Sequence, residues 1–168
     1  LVEELAPAFR RFHEIYAKPD DEKLVFMAVE AIEDLLTRIL IKYLVKHTSK
    51  KDGLFSKDRP LSYFSVKIDL AHRLGLISSG LEEELQTLRK IRKEFKNKID
   101  CAMLDYKHAK VFCNNLKAPS AVKLKSMYAK DQFPDTPRGN FELTVTIISC
   151  LLANILNDLE PVSVAPLH

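Results

Sequence analysis

Residues 60–99 read PLSYFSVKIDLAHRLGLISSGLEEELQTLRKIRKEFKNKI, and the spacing of their apolar side chains decides the fold. Leu81, Leu85, Leu88, Ile91, Phe95 and Ile99 recur every three or four residues, the period of a helix with one buried face. Tyr63, Phe64, Val66, Leu70, Ala71 and Leu74 do the same upstream. Between the two runs stands Gly75, a residue that closes a helix in the left-handed conformation at little cost. Ile77 packs the connection, and Ser79 with Glu82 has the spacing of a capping box. The stretch therefore predicts a helical hairpin with arms at about 61–74 and 80–96. The second arm begins with Glu82, Glu83 and Glu84 and ends in Arg89, Lys90, Arg92, Lys93 and Lys96. This order suits the helix dipole at both ends.

Two cations interrupt the apolar faces. Arg92 follows Leu88 by four residues and precedes Phe95 by three, and Lys67 sits inside the apolar arc of the first arm. A cation on a buried face needs a partner or costs several kcal/mol. Either each meets an acid, a carbonyl or an anionic ligand, or its aliphatic stem covers apolar surface while the charged head reaches water.

Working outward, Asp20 or Asp21 caps a long helix at about 21–47, with Leu24, Ala28, Ala31, Ile32, Leu35 and Ile39 as its stripe. Its breadth suits the centre of a bundle. Glu30, Asp34 and Arg38 form a polar ladder along one side, and alternating charges of this kind read as a solvated face. A short amphipathic helix over 1–17 precedes Pro19. Residues 47–59 are a lysine-rich polar loop, 101–116 an irregular crossing followed by a short helix, and 117–136 a proline-bearing loop. The last helix starts after Thr136, with Pro137 in its first turn. It is apolar nearly all round, so it belongs in the interior or at a dimer interface. The expected architecture is an all-α bundle of five or six helices forming a single domain over 1–160, with a disordered tail at 161–168.

The totals narrow the function. The chain has 168 residues, of which 46% are hydrophobic and 29% charged, with a net charge of +3. Such a balance suits a soluble globular domain and does not favour RNA or DNA as a default partner. Three cysteines without metal-type spacing read as reduced thiols. No signal-peptide pattern and no uninterrupted apolar run of membrane-span length stand out, so a cytoplasmic protein without membrane contact is expected.

No phosphate loop, dinucleotide fingerprint, zinc helix or nucleophile elbow is present. The expectation is no cofactor, no metal and no catalytic residue. His108 and Cys113 stand five residues apart and point in different directions on a helix, which argues against a Cys–His pair. A helix-turn-helix reading fails because the basic arm also carries the face that must bury, whereas a recognition helix exposes its reading side.

The segments Pro60-Leu61, Val66-Lys67-Ile68 and Leu74-Gly75-Leu76-Ile77, followed by Leu88–Phe95, resemble the mannitol operon repressor family. MAVEAIEDLL from Met27 is similar to that family's apolar helix, with its acid at Glu30, and LDYKHAKVFCNNL to a segment of related bacterial proteins. The resemblance covers about residues 25–116. It implies a non-enzymatic transcriptional regulator that works through a protein partner, without a DNA-reading motif of its own; the homodimer expected beside it rests on the apolar helix. The same text resembles the wider HEPN group of helical domains, whose active members are metal-independent ribonucleases with an Arg followed five residues later by His. Here Arg92 matches the arginine and Asn97 stands at the histidine position. An amide cannot exchange protons near neutral pH as an imidazole does. The alternative this leaves is an RNA-binding or toxin–antitoxin protein with a degenerate site. A third is a nuclease using another base, His72 or His108. The candidate anion- or partner-binding residues are Lys67, Arg92, Asn97 and Glu30.

Overall fold

The structure, a computed structural model, describes Glu14 and residues 20–46, 53–97, 103–104, 107–117 and 136–163. These form five α-helices and no strand: α1 (Asp21–Tyr43), α2 (Phe64–Arg73), α3 (Ser79–Asn97), α4 (Lys107–Asn114) and α5 (Pro137–Asp158). The helix expected over 1–17, the loop before Pro137 and the end of the tail lie outside the described residues.

Helix α1 starts where Asp20 Oδ1 accepts the Lys23 N–H at 2.8 Å, an N-cap with Asp21 and Glu22 following in the first turn. It buries Leu24, Val25, Ala28, Val29, Ile32, Leu36, Ile39 and Leu40, too wide a stripe for one neighbour. Accordingly it packs along α5 on one flank and against both hairpin arms on the other. It ends at Tyr43, a turn earlier than expected. Its last turn is tied to the end of α5 by Lys42, whose Nζ donates to the Leu156 carbonyl at 2.8 Å. The tail after α5 turns back to the same place, with the Val162 N–H donating to the Tyr43 carbonyl at 2.9 Å.

The hairpin forms as the apolar period dictates, with shorter first arm and different caps. A single 3₁₀ turn at Pro60–Ser62 leads into α2. At its other end Gly75 has φ +71°. The Gly75 N–H bonds the His72 carbonyl and the Leu76 N–H bonds the Ala71 carbonyl, both at 2.9 Å. These are the paired bonds of a Schellman ending. No atom stands within 4 Å of where a Cβ would sit, so backbone conformation alone calls for glycine there. Helix α3 is capped by Ser78, not Ser79: the Ser78 Oγ accepts the Leu81 N–H at 3.3 Å. Ser79 and Glu82 turn instead to His72 of the other arm.

Helix α5 begins as its sequence predicts, with Thr136 Oγ1 accepting the Gly139 N–H at 3.0 Å and Pro137 in the first turn. It is the one described helix long and apolar enough to cross a membrane, with mean hydropathy 1.5 over its most apolar window. That window is 56% buried, covered by α1 and α4 of the same chain. Glu142, at 1% exposure, interrupts its apolar surface. The Arg138 guanidinium answers it, reaching Glu142 Oε1 at 2.9 Å and Asp21 Oδ1 at 2.6 Å.

Candidate functional site

The two cations singled out by their place on apolar faces meet at one carboxylate. Lys67 Nζ of α2 donates to Glu33 Oε1 at 2.9 Å, and Arg92 Nη1 of α3 donates to Glu33 Oε2, also at 2.9 Å. Glu33 thus ties both arms of the hairpin to the central helix. The Lys67 side chain is 9% exposed, that of Glu33 19% and that of Arg92 27%, so the cluster grades from interior to surface. Hydrogen bonds between ionised partners are about twice as strong as neutral ones, more so where water is scarce. Behind Arg92 lies Phe64, with the guanidinium carbon 5.3 Å from the ring centroid, within cation–π range. One face of the guanidinium is therefore stacked and one edge is bonded.

This cluster floors an open cleft of about 720 Å³ between α1, α2 and α3. The aromatic side chains of Phe26, Tyr63 and Phe64 line it, with Tyr63 59% exposed at the rim. Arg89, Lys93 and Lys96 join Arg92 along α3, facing Glu30 and Glu33 from α1. Arg89 is braced by Gln86, whose Oε1 accepts from Nε at 2.9 Å. Four cations against two carboxylates leave a positive field, and one of those carboxylates already serves Lys67. Such an excess of positive charge attracts anions. Among the described residues no imidazole or thiol, the side chains whose ordinary proton exchange lies nearest neutral pH, lines it.

Of the four candidate residues, Lys67 and Arg92 come together, through an acid that was not among the candidates. Glu30 is exposed on the cleft wall, and the acid that Lys67 and Arg92 share is Glu33, one turn further along. Asn97 is exposed at the last residue of α3 and does not line the cleft. Residues five apart on a helix differ by about 140° in direction, and α3 is continuous from Arg92 to Asn97. Glu33 was findable: it follows Val29 by four residues and precedes Leu36 by three, the same test that marks Arg92.

The other titratable groups lie elsewhere. His72 bonds Glu82 Oε2 through Nδ1 at 2.9 Å and approaches Ser79 Oγ through Nε2 at 3.2 Å. It sits eight residues beyond Phe64, about 12 Å along the helix. Its place is the hairpin turn, where it joins the end of α2 to the start of α3. The side chain of His108 lies outside the described residues. Burial and the charge of Asp21 push the Cys113 thiol up to about 12, which leaves it inert as a nucleophile. Among the described residues no three His, Cys, Asp or Glu side chains converge as a metal site requires.

No family model matches the chain, and no curated protein matches it in sequence. A solved structure does. A chain in the X-ray structure of the MtlR–HPr complex from Escherichia coli is similar over 88% of this chain and 99% of its own length, with TM-score 0.62 at 17% identity. The likeness is one of fold.

Proposed function

We propose that this protein is a non-enzymatic regulator of the mannitol-repressor type, acting through contact with another protein. The observation that carries the reading is the state of Arg92. It is bonded to Glu33, stacked on Phe64 and set in a cleft that no imidazole or thiol lines among the described residues. Recognition needs a fixed surface that carries charge, and acid–base hydrolysis needs a proton donor and acceptor placed at the scissile bond. The arrangement supplies the first. The fold likeness to a protein solved together with HPr supports a protein partner, and the sequence resemblance supports transcriptional regulation as the output. The second reading, an RNA-binding protein of the HEPN kind, draws on the excess of cations in the cleft.

The test joins a cell-based and an in vitro arm. Deleting the gene changes a small set of transcripts, and wild-type protein restores them. A protein with Lys93→Glu and Lys96→Glu does not, although it accumulates normally. Mixed-sequence RNA incubated with the purified protein stays intact. RNA turnover that vanishes in a folded Arg92→Ala protein would overturn the regulator reading.

A further inference from the structure

We infer that the cleft between α1, α2 and α3 is the docking site for an acidic segment of the partner protein. This rests on the regulator reading and adds the place of contact and the chemistry of what is bound. Arg89, Lys93 and Lys96 carry the assignment. They lie on one face of α3 at spacings of four and three, and all three border the cleft. Lys93 and Lys96 are exposed and make no ion pair among the described residues. Arg92, between them, is already engaged by Glu33. Its role is to shape the floor, while the outer cations remain open to a ligand.

The dimensions favour a peptide over a nucleic acid. From Arg89 to Lys96 is seven residues, about 10 Å along the helix axis. That length matches about three residues of an extended peptide at ~3.3 Å each. A nucleic-acid strand gains its affinity by neutralising many phosphates along a longer track, and this chain's net charge is only +3. The opposite wall also offers what protein interfaces use. Tyr63 is 59% exposed beside Phe64 and Phe26, and tyrosine and arginine are among the side chains enriched where binding energy concentrates.

The experiment uses the full chain and two probes with the same fluorescent label: an oligoglutamate peptide and an oligoribonucleotide of equal length. Anisotropy is followed for wild type, for Lys93→Glu with Lys96→Glu, and for the milder Lys93→Gln with Lys96→Gln, each checked for fold by circular dichroism. The peptide binds wild type, more weakly as salt rises. Its affinity falls about tenfold or more in the charge-reversed protein and by less in the neutralised one. The RNA binds more weakly than the peptide and stays intact. RNA bound more tightly than peptide would overturn the assignment, as would peptide affinity indifferent to both double substitutions. Absence of peptide binding, with the RNA intact, would overturn the docking site and leave the regulator reading standing. Cleavage of the RNA would bring down both.

Discussion

Two arginines reach the same central helix at points twelve residues apart, about 18 Å along its axis, and do different things there. At Glu33, one carboxylate is shared by two cations, Lys67 and Arg92. At Arg138, one guanidinium is shared by two carboxylates, Asp21 and Glu142. The second cluster fastens the start of α5 to the start of α1 around a glutamate whose side chain is buried. The first fastens the hairpin to α1 and opens on a cleft bordered by three further cations. The same side-chain chemistry serves cohesion in one place and leaves a surplus of positive charge facing solvent in the other. A buried charge on a helix is therefore no sign of function until its neighbours have been counted.

The contrast can be broken at either end. Replacing Arg138 by Met should have the largest effect, because it takes a cation away from the buried Glu142 and from Asp21 together. A loss of about 3–4 kcal/mol is expected from urea unfolding. A loss below about 1 kcal/mol would mean that the cluster does not hold the helix junction. Glu33→Gln should cost about 2–3 kcal/mol, less because Arg92 can still reach water. Glu30→Gln, one turn away on the same helix, should stay within about 0.5 kcal/mol. Equal losses for the two would refute Glu33 as the shared acid. Lys67→Met should change stability by only about 1 kcal/mol, since an apolar side chain fills the same space and Glu33 keeps Arg92.

Two smaller effects follow from protonation. Burial raises the Cys113 thiol from its ordinary 9.0 to about 12, so the native state holds that proton more tightly than the unfolded chain does. The corresponding stability is complete below about pH 9 and is lost as pH rises toward 12. At about pH 10 one thiol of the native protein should react slowly with Ellman's reagent, speed up in urea and be absent from a Cys113→Ala protein. Equal rates with and without urea would contradict its burial. Lys117 holds the Glu83 carboxyl below its usual value, a contribution present above the unfolded carboxylate's pKa and lost as pH falls through the folded one. Both side chains are well exposed, and salt screens such pairs. Glu83→Gln should leave the melting temperature unchanged at moderate salt.

Much of this was legible in the residues themselves. The apolar period of residues 81–95 and the glycine at 75 give the hairpin, because a buried face and a left-handed stop each demand particular side chains. Asp20 and Thr136 mark helix starts by the same local logic. Arg92 and Lys67 announced that partners were needed. Which acid would meet them was less accessible: spacing sets Glu33 at an apolar face, but Glu30 and Asp34 lie within about a turn of it. The choice depends on how the hairpin crosses α1, and crossing is a tertiary fact. The cap at Ser78 was hidden by an adjacent serine with better motif spacing, whose hydroxyl lies beside His72 across the turn. Glu142 escaped notice inside a run of apolar residues, its partner four positions back.

The division between the two arginine clusters is tested most directly by measuring oligoglutamate binding and unfolding together, for Arg138→Met and for Lys93→Glu with Lys96→Glu. The predicted result is a crossed pattern. The Arg138→Met protein is markedly less stable, yet where folded it binds the peptide as wild type does. The doubly reversed protein keeps wild-type stability and loses the peptide. Binding that declines in step with stability across both proteins would contradict the claim that one cluster holds the bundle while the other faces a partner.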